Sequence, residues 1–299
     1  MAIQLKTHVA PTSSLLRLPF KFIARLCERS SQCRNLLRSI HFKGKSVAVN
    51  FIDLNSFPEQ TLLADCDGIR YELELQDEIQ RMIYFNYYER QSLKRVLTLI
   101  REGSTCFDVG ANVGFYALNF ARAVGRTGKV FAFEANSSVA EKLKRNIALN
   151  AFEPIIEVAE WAVSDKVGES VFSMTSDQNS GWGHLGEDSR FKHTIVKTNT
   201  IDNFFEEKGL EHIDLMKVDI EGAEDQLIEG AVRVLSEKRI KHIYMEFCKM
   251  HCDEVKHRLN HLGQFGYLPD DGDRATLQKM MRDEVYSSEL VQNFLFHAA

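Results

Sequence analysis

The sequence lacks several features that would assign it to a class of protein at once. It has no apolar run of about 18 residues, the length that a membrane-spanning helix needs. Its six cysteines include no CxxC pair, which favours a reduced, cytoplasmic compartment over a secreted one. The net charge of −5 gives no overall case for a nucleic-acid partner. What remains is a composition with 44% hydrophobic and 26% charged residues, which can bury a sizeable globular core.

Basic residues are concentrated at the N-terminus. Residues 1–45 carry nine Lys or Arg and one acid, Glu28, so their net charge is +8 and the rest of the chain carries −13. Apolar residues recur at helical spacing from about Ser14 to Ile40, with arginines among them. Two interpretations stay open: the extension contacts an anionic membrane surface or a partner protein, or it is an amphipathic helix packed on the main domain. Pro19, which interrupts the pattern, and the lack of an aromatic belt favour the second.

The stretch Cys106–Tyr116 reads CFDVGANVGFY and predicts a strand, a tight turn and a helix. Gly110 and Gly114 allow the backbone to bend sharply and to approach a ligand closely. Asp108 would end the strand, where open α/β sheets bind their ligands. The spacing is GxxxG rather than the GxGxxG of dinucleotide-binding proteins, and no lysine follows the second glycine as in a phosphate-binding loop. A tight turn without a ligand fits the same residues.

Strand and helix patterns alternate along the chain, and this alternation predicts a parallel, doubly wound α/β sheet. After the first core strand, the predicted strands are 130–133, 155–163, 194–201, 213–220, 240–247 and 293–297. The predicted helices are 92–100, 115–124, one that begins with a capping box at 138–141, 202–208, 224–235 and 253–262.

The segments between these elements complete the predicted organisation. Two further strands, 46–54 and 69–75, precede the main domain, whereas 173–190 and 269–290 read as long polar segments. We therefore divide the chain into a basic amphipathic extension, a β-rich and helical lead-in, and a main domain, at residues 1–45, 46–100 and 101–299.

Three predicted strands end in acids, namely Asp108, Glu134 and Asp219. Like charges repel when they are buried together, so carboxylates that converge at one edge of a sheet favour a ligand there. Glu134 follows Gly110 by 24 residues, and an acid so placed can accept hydrogen bonds from both ribose hydroxyls of a nucleoside. Taken singly, each acid is equally compatible with a helix N-cap or a solvated strand end.

Four motifs carry a resemblance to a known family: DVGANVGFY at 108–116, FAFEAN at 131–136, AVSD at 162–165 and LMKVDIEGAE at 215–224. Together they resemble the successive motifs of the FkbM-type methyltransferases. The resemblance implies a Rossmann-like class I methyltransferase fold, with a seven-stranded, mostly parallel sheet and one antiparallel strand, for which the final NFLFH is suited. It also implies S-adenosylmethionine as the cofactor and a hydroxyl group of a sugar, glycan or small natural product as the methyl acceptor.

The resemblance further implies roles for individual residues. Cofactor binding would fall to the glycine turn and to neighbouring strand ends, namely Asp108, Gly110, Asn112, Gly114, Phe115, Glu134, Ala135, Trp161, Ala162 and Asp219. The catalytic residues would be Asp219, Glu221 and Lys217, with Asp219 as the base for the acceptor hydroxyl; cofactor binding or helix capping is its alternative role. Trp182 and His184 would line the acceptor.

Other interpretations stay open beside this one. A nicotinamide-dependent Rossmann oxidoreductase would share the strand–turn–helix pattern, although the GxxxG spacing counts against it. A methyltransferase-like binding module without catalysis would keep the same motifs. We predict no metal, because Asp219 and Glu221 lack a clear third ligand. His257 and His261, four residues apart near two cysteines, lack an established zinc-ligand spacing.

Overall fold

A computed structural model describes residues 18–42, 44–53, 61–174, 183–248, 252–282 and 291–299. Its contacts divide the chain into two compact units, Met1–Arg90 and Gln91–Ala299. The division into an extension, a lead-in and a main domain stays a prediction. No helix in the described ranges is both long enough and apolar enough to cross a membrane.

The described residues of the first unit form four helices and one hairpin. The helices are α1 (Leu18–Arg29), α2 (Ser31–Ser39), α3 (Lys45–Asn50) and α4 (Glu78–Tyr84), and the antiparallel strands are β1 (Thr61–Cys66) and β2 (Ile69–Glu74). Asp67 and Gly68 join the two strands with φ angles of 54° and 82°, the left-handed conformations that a two-residue hairpin turn demands. The strand predicted at 69–75 is therefore confirmed.

Pro19 is the second described residue of α1, where a missing N–H costs no hydrogen bond, and the earlier residues of the predicted pattern lie outside the described ranges. One prediction for this unit was wrong. Of the strand predicted at 46–54, residues 46–53 do not form one, because most of them belong to α3, and Leu54 lies outside the described ranges. The alternation of valines there suits a strand locally, but in the helix Ala48 and Val49 are both buried. Packing has overridden local preference.

From Arg90 onward the chain alternates helices and strands, with bounds as follows: α5 (Arg90–Leu97), β3 (Thr105–Val109), α6 (Phe115–Val124), β4 (Lys129–Phe133), α7 (Ser137–Leu149), β5 (Ile156–Ala159), β6 (Ala162–Val163), β7 (Gly168–Met174), β8 (His184–Leu185), β9 (Lys192–Asn199), α8 (Ile201–Glu207), β10 (Ile213–Val218), α9 (Glu224–Glu229), α10 (Val232–Ser236), β11 (Ile240–Cys248), α11 (Cys252–Gln264), β12 (Tyr267–Pro269), α12 (Asp271–Met280) and β13 (Val291–Ala298).

A seven-stranded sheet in the order β12-β13-β11-β10-β3-β4-β5 forms the centre of the second unit. Strands β11, β10, β3, β4 and β5 pair in parallel, whereas β13 pairs antiparallel with both of its neighbours. The predicted α/β class, with one antiparallel strand supplied by the final apolar segment, is confirmed. Because β3 lies between β10 and β4, the acids that follow these strands meet at one edge.

An aromatic cluster fixes the middle of this sheet. The rings of Phe107, Phe131, Phe133 and Phe204 lie with centroids 5.1 to 5.9 Å apart, mostly edge to face, the geometry that aromatic quadrupoles prefer. Trp161 adds its ring 5.0 Å from that of Phe133. The cluster holds the carboxyl end of β4 in place and therefore positions Glu134, the next residue.

Several predicted elements were wrong in extent. Residues 155–163 form two strands, and the second joins a separate four-stranded sheet, β6-β9-β7-β8. Residues 224–235 form two helices that part at Gly230, where a Cβ would lie 2.1 Å from the carbonyl oxygen of Ser164. Asn136, not Ser138, caps α7 by accepting a hydrogen bond from the Ser138 N–H. The segment predicted as polar at 269–290 contains α12, and its last eight residues lie outside the described ranges.

Candidate active site

The turn after β3 lies directly against the end of β10. The Asp219 N–H donates to the carbonyl of Val109 over 3.0 Å, and the N–H groups of Gly110 and Ala111 both donate to the carbonyl of Phe133, over 3.0 and 2.9 Å. A Cβ on Gly110 would lie 1.8 Å from the Asp219 carbonyl oxygen, and its φ angle is +81°. Glycine is therefore required by space as well as by conformation. Three strand ends are joined into one rigid cradle.

Glu134 ties this turn to the start of the next helix. Its Oε2 accepts a hydrogen bond from the Asn112 N–H and its Oε1 accepts one from the Asn136 N–H, each over 2.9 Å. Burial raises the pKa of Glu134 to about 7, and the two backbone donors oppose that rise. Each carboxylate oxygen keeps a second lone pair, so the group can accept two further hydrogen bonds from a ligand with neighbouring hydroxyls.

A single lysine lies between two acids beneath the cradle. Asp108 is completely buried, and no hydrogen bond in the described ranges reaches either of its carboxylate oxygens. Lys217 faces it across the β3–β10 pairing, with Nζ 3.8 Å from Asp108 Oδ1 and 3.0 Å from Asp219 Oδ2. The Lys217 Nζ also lies 4.9 Å from the ring centroid of Tyr116. Because Asp108 does not face solvent, it acts on the site through Lys217.

A third acid, Glu246, joins Asp219 and Glu221. One carboxylate oxygen from each of the three lies within 4.8 Å of the others, and Glu246 is only 6% exposed. Glu246 was not among the predicted site residues, although it stands near the end of β11 much as Asp219 follows β10. Glu221 enters the group from a left-handed residue with a φ angle of 51°. Asp219 already has the Lys217 ammonium as its cation, and we assign no metal to this group.

A second cluster lies on α9 and α11. Ligand atoms of Asp225, His257 and His261 lie within 4.8 Å of one another. However, the Arg258 guanidinium lies 3.1 Å from Asp225 Oδ2 and 3.2 Å from Glu224 Oε2, so the carboxylate already has a cationic partner. His257 is exposed, as expected for a histidine on a solvated helix, and we assign no metal here either.

The side of the site predicted for adenine combines an aromatic ring with small residues. Trp161 is half-buried and packs on Phe133, and the next residue, Ala162, is buried in a small cluster against which Ala135 packs. The structure therefore brings Glu134, Ala135 and Ala162 into one region beyond β4. Phe115 begins α6, and its ring centroid lies 5.4 Å from that of Tyr116.

The predicted acceptor residues are less closely tied to this site. His184 lies on β8, with its ring centroid 6.3 Å from that of Phe191. Among the described residues, His184 is not part of the group that Asp219, Glu221 and Glu246 form. Trp182 lies outside the described ranges. The acceptor wall around these two residues stays a prediction.

The residues present fit an adenosyl cofactor. Gly110 gives the close backbone approach that a ligand-binding turn needs, with no room for a side chain. Glu134 offers free lone pairs to neighbouring hydroxyls, and Trp161 offers an exposed part of its ring for a base to pack on. These three features occupy consecutive strand ends, which is where a nucleoside lies in open α/β sheets.

Comparison with known proteins decides the family. Residues 108–275, more than half of the chain, match the model of the methyltransferase FkbM domain. The chain belongs to the FkbM methyltransferase family. This match confirms the predicted family, the class of enzyme and S-adenosylmethionine as the cofactor. It also covers every strand end from Asp108 to Glu246 that builds the site.

Two curated methyltransferases are similar to this FkbM methyltransferase. The 2-O-methyltransferase NoeI of Sinorhizobium fredii (strain NBRC 101917 / NGR234) is 30% identical over 157 residues, 47% of this chain and 61% of that protein. The methyltransferase sdnD of Sordaria araneosa is 26% identical over 152 residues, 41% of this chain and 58% of that protein. The matched regions thus span about three fifths of these relatives.

Solved structures of methyltransferases are more distant. A tRNA (uracil-54, C5)-methyltransferase of Pyrococcus abyssi in complex with S-adenosyl-L-homocysteine shares 16% identity and a TM-score of 0.45, covering 80% of this chain and 45% of that one. A SAM-dependent O-methyltransferase of Thermotoga maritima shares 15% identity and a TM-score of 0.36, covering 60% and 51%.

The buried acid beneath the cradle makes stability depend on pH. Burial raises the pKa of Asp108 to about 6, whereas Lys217 opposes the rise. Because the pKa of Asp108 is higher in the folded state than in the unfolded chain, its protonation stabilises the fold. This stabilisation is fully present below about pH 4 and is lost as pH rises through about 6. Asp108→Asn lacks this titrating group, so we expect its free energy of unfolding relative to wild type to rise by about 2 kcal/mol between about pH 4 and pH 6.

Urea denaturation of the cofactor-free protein at a series of pH values measures this difference. The control is Glu169→Gln, which also replaces an acid by its amide, but at an exposed position. Parallel curves for wild type and Asp108→Asn would show that Asp108 ionises as freely in the folded state as in the unfolded chain.

Proposed function

We propose that this chain transfers the methyl group of S-adenosylmethionine to a hydroxyl group of a sugar, glycan or small natural product. The observation that carries the proposal is the contact between Gly110 and Asp219, which sets a carboxylate directly beside the cofactor cradle. The name of the relative NoeI, a 2-O-methyltransferase, supports oxygen as the accepting atom.

Asp219 is the proposed base. An acceptor hydroxyl must lose its proton as its oxygen attacks carbon, and a carboxylate within hydrogen-bond reach can accept that proton. Lys217 donates to Asp219 Oδ2 over 3.0 Å, which fixes the carboxylate, and Oδ1 would accept the proton of the acceptor hydroxyl. Glu221 and Glu246 lie beside it and can accept hydrogen bonds from other hydroxyls of a polyhydroxylated acceptor. A sugar presents such neighbouring hydroxyls.

The cradle residues orient the two reactants. When bound, S-adenosylmethionine supplies an electrophilic methyl group on a sulfonium centre. The backbone of Gly110 and Asn112 and the carboxylate of Glu134 would hold the cofactor, and Trp161 with Ala162 would flank its base. Holding an acceptor oxygen in line with such a centre can contribute up to about 7–11 kcal/mol to the lowering of the barrier.

A direct test uses S-adenosylmethionine with a radioactive methyl group and a panel of acceptors matched in size, with hydroxyl, amine or carboxylate groups. Label is expected on the hydroxylated sugars and natural products, and mass spectrometry should place it on oxygen. Label on nitrogen or carboxylate alone would contradict the proposed acceptor class. Cofactor binding without transfer to any acceptor would point to a binding module.

Glu134 gives a prediction for cofactor binding alone. In Glu134→Ala the ribose hydroxyls and the N–H groups of Asn112 and Asn136 lose their acceptor, which should cost about 1–3 kcal/mol, or roughly 5- to 150-fold in the Kd for S-adenosylmethionine. Glu134→Gln keeps one side-chain oxygen and should lose less. The matched control is Glu141→Ala, which removes an exposed acid paired with Lys144. Calorimetry that finds equal affinity in wild type and Glu134→Ala would remove Glu134 from the cofactor site.

A further inference from the structure

The exposed face of α1 carries a row of apolar side chains beside a row of basic ones. Leu18, Phe22 and Leu26 follow one another at intervals of four residues and are 57%, 65% and 41% exposed. Lys21, Arg25 and Arg29 follow at the same interval, each three residues after an apolar one, and all three are exposed. Residues three and four apart are neighbours on a helix surface, so the two rows run side by side.

The opposite face of α1 already has its packing partners. Ala24 and Cys27 are each 1% exposed, and α1 packs against α2 and α3. The apolar row is therefore not the part of the helix that holds this unit together. Of the ten large apolar side chains exposed in the described ranges, five lie between Leu18 and Ile40. Isolated exposed apolar residues are ordinary, but a concentration of them marks an interaction surface.

Two other basic residues of this region donate hydrogen bonds to backbone carbonyls, whereas on the exposed face of α1 the Lys21 Nζ lies 5.4 Å from the ring centroid of Phe51. Arg38 donates to the carbonyl groups of Tyr84 and Asp65, and Arg34 donates to the carbonyl of Cys27. The acid of α1, Glu28, accepts a hydrogen bond from the Asp53 N–H over 2.8 Å. The exposed rows therefore contain three cations and no acid.

We propose that this face of α1 docks on the surface of an anionic lipid bilayer. The apolar row would enter the boundary between headgroups and acyl chains, and Lys21, Arg25 and Arg29 would contact anionic headgroups. Other occupants fit less well. A nucleic acid would neutralise the cations but leave Phe22 and Leu26 in water. A second copy related by a twofold axis would place these cations against themselves. Residues 1–17 carry Lys6 and Arg17 and no acid, so their charge repels this face.

The inference rests on no catalytic residue and can be tested without a methyl donor. The full chain is floated with vesicles of phosphatidylcholine alone and of phosphatidylcholine mixed with phosphatidylserine. Binding is expected for the mixed vesicles only. It should weaken as salt rises, because the Debye length falls from about 30 Å at 0.01 M to about 3 Å at 1 M. Equal binding to both vesicle types, or no binding to either, would overturn the proposal.

Two variants test the basic row and the apolar row of α1 separately. Lys21→Gln/Arg25→Gln/Arg29→Gln should lower the partition coefficient on the order of a hundredfold, since each basic residue near an anionic surface contributes roughly fivefold. Phe22→Ser/Leu26→Ser should lower it by about tenfold or more. The controls are Arg126→Gln and Ile195→Ser, which change an exposed basic and an exposed apolar residue elsewhere and should bind as wild type does. Thermal unfolding checks that each variant is folded.

The outcomes distinguish the alternatives. If the basic variant loses vesicle binding while the Ser variant binds as wild type does, the patch is purely electrostatic, and docking through the apolar row is contradicted. Binding of a short RNA duplex with the same pattern would assign the patch to nucleic acid. A concentration-dependent dimer in sedimentation, lost in Phe22→Ser/Leu26→Ser, would assign the face to a second copy.

Discussion

Replacing Asp219 by asparagine is expected to lower kcat by about 10²–10⁴-fold, the usual contribution of a positioned general base. The amide keeps the size of the carboxylate and its oxygen can still accept the hydrogen bond from Lys217, so the cradle beside Gly110 stays intact. The asparagine amide cannot, however, take a proton from the acceptor hydroxyl. We therefore expect kcat and kcat/KM for the acceptor to fall together, which marks an interaction made in the transition state.

Single-turnover transfer of the labelled methyl group, at saturating cofactor, measures this effect. Calorimetry of S-adenosylmethionine binding to the same variant should give nearly the wild-type Kd. The control is Asp253→Asn, which removes an exposed acid paired with Lys256. A variant whose rate recovers fully at high cofactor concentration would show that Asp219 binds the cofactor and is not the base.

Replacing Gly110 by alanine is expected to be the most damaging single change to the cradle. Its Cβ would meet the Asp219 carbonyl oxygen at 1.8 Å. Asp219 directly follows the central strand β10, and its backbone cannot move aside without breaking the hydrogen bond that its N–H donates to the Val109 carbonyl. The left-handed φ angle adds about 1–2 kcal/mol. We expect a total loss of more than about 3 kcal/mol in the free energy of unfolding, the upper range for single substitutions.

Gly209→Ala isolates the conformational part of that loss. Gly209 also has a left-handed φ angle, +60°, but nothing lies within 4 Å of its added Cβ. Its loss should stay near 1–2 kcal/mol, so that the difference between the two variants, measured by urea denaturation, reports the clash. Gly110→Ala should also lose measurable binding of S-adenosylmethionine, whereas Gly209→Ala should bind it normally. Similar losses in both variants would mean that the turn yields, and that the cradle is less rigid than its contacts indicate.

Much of the site could be predicted because the ends of strands can be recognised in the sequence. Asp108, Glu134 and Asp219 each follow a short apolar run, and parallel strands bring such ends to one edge of the sheet. The pairing of Lys217 with both Asp108 and Asp219 depends on the register of β3 against β10, which no local pattern reveals. Glu246 carried the same signal as Asp219, near the end of an apolar strand.

The errors have a common physical cause, which is contact between distant parts of the chain. Val47 and Val49 suit a strand, yet α3 forms because burying Ala48 and Val49 as a helix outweighs a local preference worth at most about 1 kcal/mol. The helix predicted at 224–235 is divided at Gly230, where the backbone lies against the carbonyl of Ser164. Ser164 is 66 positions away in sequence, so no local pattern reveals this contact. Asp108 was expected to contact the ligand, but it is completely buried on β3, against which α6 packs. Burial of this kind depends on tertiary packing, which no local pattern reveals.

The most direct test of the central claim is isothermal titration of the purified chain with S-adenosylmethionine, S-adenosylhomocysteine and NAD. Our expectation is that the first two bind at one site per chain, with an affinity that falls in Glu134→Ala, and that NAD does not bind. Binding of NAD in place of the adenosyl ligands would contradict it, because the cradle around Gly110 and Glu134 would then serve a nicotinamide cofactor.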